Sequence, residues 1–249
     1  MLASSFRLDL KITVGPQKPG NIKTILSSSY PIFIEYKCLH EGITGNALRR
    51  MRVALRHRDR VRGISFEGSN AGFKKFFRET VCSFPVLDSL FLRFGYGFRQ
   101  NIPVTFLRGP DLSDLHLRRL TLDCFYFSLA QVSGFLSSAT ALTDLTLQFD
   151  TATEPLTETS LLACLRDMHC LRNLDLTIIP DPFDSLLLDL VPKNTVPIPM
   201  SELTRFHYFG RSTFLNNLMA RLSAPSLQDV RLCSTACYPF CTSLGLSMA

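Results

Sequence analysis

The chain has 249 residues, of which 46% are apolar and 19% charged, a balance that supports a sizeable core and excludes intrinsic disorder. Its net charge of +6 is local: residues 49 to 62 carry seven arginines and one aspartate, and the rest of the chain is balanced. The longest apolar runs are far shorter than the ~20 residues of a bilayer span, which excludes a transmembrane helix.

The opening MLASSFRLDLKI places Arg7, Asp9 and Lys11 where a secretory signal would need an apolar run. This start, together with eight scattered cysteines, implies reduced thiols and a cytoplasmic or nuclear protein. FRLDLKI (6 to 12) and IFIEYK (32 to 37) read as strands that open the fold. In residues 45 to 62 Leu48, Met51 and Leu55 share one helical face, so Arg49, Arg50, Arg52, Arg56 and Arg58 form a basic patch on or just beyond the opposite one. That patch is the alternative function reading, nucleic-acid or anionic-lipid binding, although no stacking aromatics or reader motif accompany it. The segment also spells His57-Arg58-Asp59, as in a kinase catalytic loop. The metal-binding Asn that chemistry needs five residues on is replaced by Ile64, and GYGF (95 to 98) lacks the third glycine of a nucleotide loop. HRDRV instead reads as the close of a helix and the start of a strand centred on Ile64.

From there a repeat governs the chain: an apolar residue, two others, an apolar residue, one other, and an apolar residue. It runs Val61, Ile64, Phe66; Leu87, Leu90, Leu92; Leu112, Leu115, Leu117; Leu142, Leu145, Leu147; Leu171, Leu174, Leu176; Leu203, Phe206, Tyr208; and Leu227, Val230, Leu232. First positions lie 26, 25, 30, 29, 32 and 24 residues apart, at and above the upper end of the leucine-rich-repeat range. The last three positions alternate with period two, as a strand does with one face buried. Between copies lie helical spacings: Phe73, Phe76, Phe77 and Thr80; Leu129, Val132, Phe135 and Leu136; Leu161, Leu162, Leu165 and Met168; Phe214, Leu215, Leu218 and Leu222. Ser69, Thr157 or Thr159, and Ser212 are the expected N-caps.

The fold class that follows is α/β: a leucine-rich-repeat-like solenoid over residues 1 to 235, with parallel strands on a concave face and helices or irregular segments on the convex face. Residues 180 to 200 hold five of the 14 prolines and form an irregular insertion. Residues 236 to 249 lose the pattern and form a divergent, disordered tail. Cys233, Cys237 and Cys241 recur at every fourth position, but a zinc site wants a fourth ligand and none lies nearby, so no metal or cofactor is expected.

ALRHRDRVRGI (54 to 64), FPVLDSLFL (84 to 92), LSSATALTDLTL (136 to 147) and MSELTRFHYFGRSTFLNNLMARLSAPSL (200 to 227) resemble the repeat region of F-box and leucine-rich-repeat proteins of mushroom-forming fungi. The resemblance runs over nearly the whole chain to about Leu232. It implies a noncatalytic substrate-reading role in a cullin-RING ubiquitin ligase, with a protein target bound by the repeats. The family's F-box, which grips the ligase adaptor, would precede the first strand and is not visible, so an adaptor is a partner only if an F-box lies outside this chain. Gly95, Asp150 and Ile179 stand at ninth repeat positions where many leucine-rich repeats carry a turn-bridging Asn or Cys.

Binding in such proteins uses the solvent-facing strand positions. Alternation assigns to that face Phe91, Arg93, His116, Arg118, Gln148, Asp175, His207, Phe209 and Arg231, with Phe91, Arg93, Arg118 and Phe209 as the strongest anchors. No catalytic constellation can be assembled from the sequence, and none is expected.

Overall fold

A computed structural model describes residues 9–14, 18–19, 29–38, 45–68, 84–94, 116–123, 136, 139–150, 158–179 and 197–234. Its strands are β1 (Asp9–Val14), β2 (Lys18–Pro19), β3 (Ile32–Cys38), β4 (Val61–Gly68), β5 (Ser89–Phe94) and β6 (Arg119–Asp123). They continue with β7 (Asp144–Asp150), β8 (Asn173–Ile179), β9 (Ile198–Pro199), β10 (Arg205–Gly210), β11 (Leu222–Ser223) and β12 (Asp229–Ser234). A ten-stranded sheet runs β12-β10-β8-β7-β6-β5-β4-β3-β1-β2, and β9 pairs with β11 beside it. Every pair from β3 to β12 is parallel, so the fold is a leucine-rich-repeat-like solenoid. The first two strands depart from this. β1 runs antiparallel to β3, and β2 antiparallel to β1, so the FRLDLKI strand joins the sheet in the opposite sense.

The spaced apolar residues explain the stacking. The fourth and sixth repeat positions, such as Ile64 and Phe66, Leu90 and Leu92, Leu145 and Leu147, Leu174 and Leu176, and Phe206 and Tyr208, all point into one core. The first positions Val61, Leu87, Leu142, Leu171 and Leu203 are buried in the same core. A strand with one apolar face cannot cover that face alone, so each copy lies on its neighbour. Aromatic residues extend the stack: Tyr36 lies on Phe66 with ring centroids 5.2 Å apart, and Tyr208 lies on Phe214 at 6.2 Å.

The third copy has a different register from the expected one. Leu117 is its first position rather than its last, and Leu120 and Leu122 are its strand residues. Leu112-Leu115-Leu117 and Leu117-Leu120-Leu122 satisfy the same spacing, so the apolar pattern does not choose between them. Charge does. The observed register sets Arg93 beside Asp123, whereas the other would set Arg93 beside Arg118, and like charges directly across strands are unfavourable.

Successive turns dock through the backbone. The carbonyl of the second residue of each copy receives the N–H groups that open the next strand. Asp88 O accepts from Arg118 and Arg119, Arg118 O from Thr143 and Asp144, and Thr143 O from Arg172 and Asn173. Arg172 O accepts from Thr204 and Arg205, and Thr204 O from Gln228 and Asp229, all at 2.8–3.0 Å. Thr143 and Thr204 hydroxyls donate to the same column, to Arg118 O and Arg172 O. Peptide groups thus dock turn onto turn in a chain whose ninth positions lack the usual Asn or Cys.

Among the described residues three helices back the sheet: α1 (Gly45–Leu55), α2 (Glu158–Leu165) and α3 (Ser212–Met219). α1 buries Met51 and Ala54, with Leu55 only partly covered, and a 3-10 turn at Arg58–Arg60 carries the chain into β4. The HRD residues therefore shape a helix-to-strand junction. α2 buries Leu161, Leu162 and Leu165, with Met168 just after it, and α3 buries Leu215 and Leu218, as their spacing predicts. The residue before α3 is Arg211, in extended conformation with no capping side-chain bond, so Ser212 lies inside the helix rather than capping it. The helices expected around 73–80 and 129–135 lie outside the described residues, as do most of the 180–200 insertion and the 236–249 tail. The described end of that insertion, Ile198–Pro199, is β9.

Candidate functional site

The solvent-facing residues of the sheet form ordered rows, because parallel pairing sets equivalent positions of neighbouring strands side by side. The fifth-position row reads Glu35, Ser65, Phe91, Thr121, Thr146, Asp175, His207, Arg231, and the seventh-position row reads Lys37, Glu67, Arg93, Asp123, Gln148, Thr177, Phe209, Cys233. Phe91, Arg93, Gln148, Asp175, His207, Phe209 and Arg231 all lie on this face. His116 and Arg118 do not. The register of the third copy puts them ahead of β6, and their places on the face are taken by Thr121 and Asp123. His116 is exposed, and Arg118 lies 3.8 Å from Asp88 at the sheet margin.

The face divides into two chemically different halves. In the half built on β3 to β6, charges alternate along the seventh-position row and pair with one another. Lys37 lies 3.9 Å from Glu67, Glu67 lies 3.6 Å from Arg93, and Arg93 Nε donates to the carboxylate of Asp123. That bond holds the Arg93 guanidinium proton above its ordinary range, and the same guanidinium lies 5.5 Å from the Phe91 ring centroid. The charges in this row are thus satisfied within the fold.

The half built on β7 to β12 carries Gln148, Thr177 and Phe209 in the same row, with no ladder of charges. Phe209 is 38% exposed. It borders a shallow hollow of about 180 Å³ lined by Asp175, His207, Tyr208, Phe209, Arg231, Leu232 and Cys233. His207 stands between two carboxylates, with Nδ1 3.8 Å from Asp175 and Nε2 3.5 Å from Asp229. Arg231 Nε reaches Asp229 at 3.4 Å. Desolvation pushes the Asp229 carboxyl up, but Arg231 and His207 together override it and hold the carboxyl below its ordinary range. The hollow therefore offers a mainly apolar wall that includes Phe209, bordered by the mutually paired Asp175, His207, Asp229 and Arg231. Asp229, a third-position residue, escaped the sequence reading because only the fifth and seventh positions were assigned to the face.

The basic patch sits elsewhere, on α1 and the turn after it. Arg49, Arg52, Arg56 and Arg58 are exposed and Arg50 is half-buried. Arg60 is structural: its guanidinium donates twice to the Tyr30 carbonyl, at 2.9 and 3.1 Å, tying the junction to the chain that enters β3.

Among the described residues no group of three or more His, Cys, Asp or Glu side chains could hold a metal ion. Cys233 is exposed at the end of the face, and Cys237 and Cys241 lie outside the described residues. Cys164 is buried within α2 itself, where desolvation pushes its thiol up to about 11. No helix among the described residues is long and apolar enough to cross a membrane. Compared with family models, curated proteins and solved structures, the chain matches none.

Proposed function

We propose that this chain is a noncatalytic protein-recognition scaffold that holds its target against the β7-to-β12 half of the open face. The observation that carries the reading is the exposed Phe209 beside a mainly apolar hollow, in the half of the sheet whose seventh-position row carries no ladder of charges. An aromatic side chain on a rigid strand gives large contact area at low entropic cost, and Asp175, His207 and Arg231 around it supply directional bonds. The resemblance to fungal F-box receptors supports a finer version: the face reads the substrate of a ubiquitin ligase in the cytoplasm or nucleus, and an F-box outside this segment grips the adaptor.

Quantitative affinity capture tests this, followed by binding measurements with the purified target. Phe209→Ala is expected to weaken target binding by about 2 kcal/mol, roughly 30-fold. Asn216→Ala, on the exposed side of α3, should leave it unchanged. Adaptor and cullin in the captured set support the ligase reading. Capture that is indifferent to Phe209 and His207, but recovers RNA lost on charge reversal at Arg49, Arg50 and Arg52, would replace it with the nucleic-acid reading.

A further inference from the structure

Two charged side chains of the described residues are buried outright, Asp123 and Arg221. Asp123 has Arg93 as its counter-ion. Arg221, 6% exposed in the turn between α3 and β11, forms no ion pair with any carboxylate whose side chain is described. Its Nη1 donates one long bond, 3.4 Å, to the hydroxyl of Thr159, and its buried Nε finds no acceptor. A buried guanidinium so poorly matched is expensive, because desolvation is offset only by an opposing charge with good geometry. The surroundings are arranged for an anion. Thr159 lies in the first turn of α2, where N–H groups lack intrahelical acceptors and the helix dipole is positive. Thr159 as a residue is exposed.

We propose that the notch between Arg221 and the first turn of α2 is a phosphoryl-binding site, and that Thr159 is the hydroxyl through which a phosphoryl group enters it covalently. Transfer from a nucleoside triphosphate by a separate protein kinase forms the bond from Thr159 Oγ to the γ-phosphorus. It breaks the bond from that phosphorus to the bridging oxygen, releases the nucleoside diphosphate, and passes the hydroxyl proton to the kinase's base. The product places about −1.5 to −2 charge beside Arg221. Its oxygens accept from Arg221 Nη1 and Nε and from N–H groups of the helix start. Modification then ties α2, which precedes β8, to the turn that leads toward β12.

Phosphothreonine installed at position 159 by genetic encoding tests the site, alongside unmodified protein in inorganic phosphate or in chloride of equal ionic strength. The modified protein should melt about 2–6 °C higher. Its 31P titration midpoint should fall below the usual value of about 6. Arg221→Gln should abolish both effects and Arg221→Lys restore part of each. A rise in Tm with inorganic phosphate, lost in Arg221→Gln, assigns the notch to free oxyanions as well. No rise with inorganic phosphate, beside a response to phosphothreonine, assigns it to the covalent group alone. Equal 31P midpoints and equal melting shifts in the wild-type and Arg221→Gln backgrounds would overturn the proposal. So would a destabilisation by Glu158→Gln as large as that of Arg221→Gln, since Arg221 would then have a counter-ion within the chain.

Discussion

At Gly63 a hydrogen atom occupies a place where any side chain would collide. A Cβ there would stand 2.6 Å from Phe33 Cδ1 and 2.9 Å from Ser89 Oγ, in neighbouring strands. The pairing of β3 with β4 also shifts register here, between Ile32 and Phe33, so the aromatic ring lies across the glycine where the ladder is irregular. Gly63→Ala is expected to cost about 1–3 kcal/mol by urea denaturation. Adding Phe33→Ala, which removes a 40% exposed ring, should recover most of that loss. A cost that persists in the double variant would mean that the backbone, rather than the ring, resists the side chain. Residues of this kind were only partly legible. The apolar spacing identifies which leucines are buried, but a glycine under a neighbour's ring carries no periodic signal. His116 and Arg118 were misplaced for a related reason: Leu117 serves two overlapping triplets, and the cross-strand charges that break the tie concern pairs of residues rather than single positions.

The strands of the repeats were the most legible elements, because three apolar positions at fixed spacing encode both burial and direction. α2 and α3 followed from their 3.6-residue periodicity. β9 and β11, two residues each, could not, since a two-residue pairing leaves no period to detect. The antiparallel sense of β1 was equally hidden, because alternation marks a strand and says nothing of which way it runs. Across β3 to β6 the charge row makes a prediction at this scale. Arg93→Glu would set a third carboxylate between Glu67 and Asp123 and leave the nearly buried Asp123 without its cation. Such a change should destabilise the fold by about 1–3 kcal/mol, read from the midpoint of urea unfolding. Asp123→Arg in the same background should restore part of the loss by re-forming the 93–123 pair with signs exchanged, while the carboxylates at 67 and 93 still repel. Equal stability of the wild type and Arg93→Glu would show that the row is a solvated surface with no energetic role.

In the whole molecule, stability must come from stacking, so it should be greatest where a strand has neighbours on both sides. β12 has one. Its core-side residues Val230 and Leu232 are 45% and 53% exposed, whereas Leu145 and Leu147 of β7 are fully covered. Native-state hydrogen exchange is therefore expected to show slowest exchange in β6, β7 and β8, rising toward β12. Uniform protection across the sheet would mean that the solenoid opens as one unit. The overall architecture was legible because the repeat spacing carries it, while the split of the open face was not. That split depends on which charges meet across strands, and so on the register that the leucines left open. The shared carbonyls have a further consequence. Every amino acid supplies a peptide group, so the ledge on which each turn lands is indifferent to side-chain identity and to the length of the loop that leads to it. Lengthening or trimming the outer arcs should thus leave the spacing of the reading surface untouched, and the protein can vary in girth while presenting the same ruler to whatever it measures.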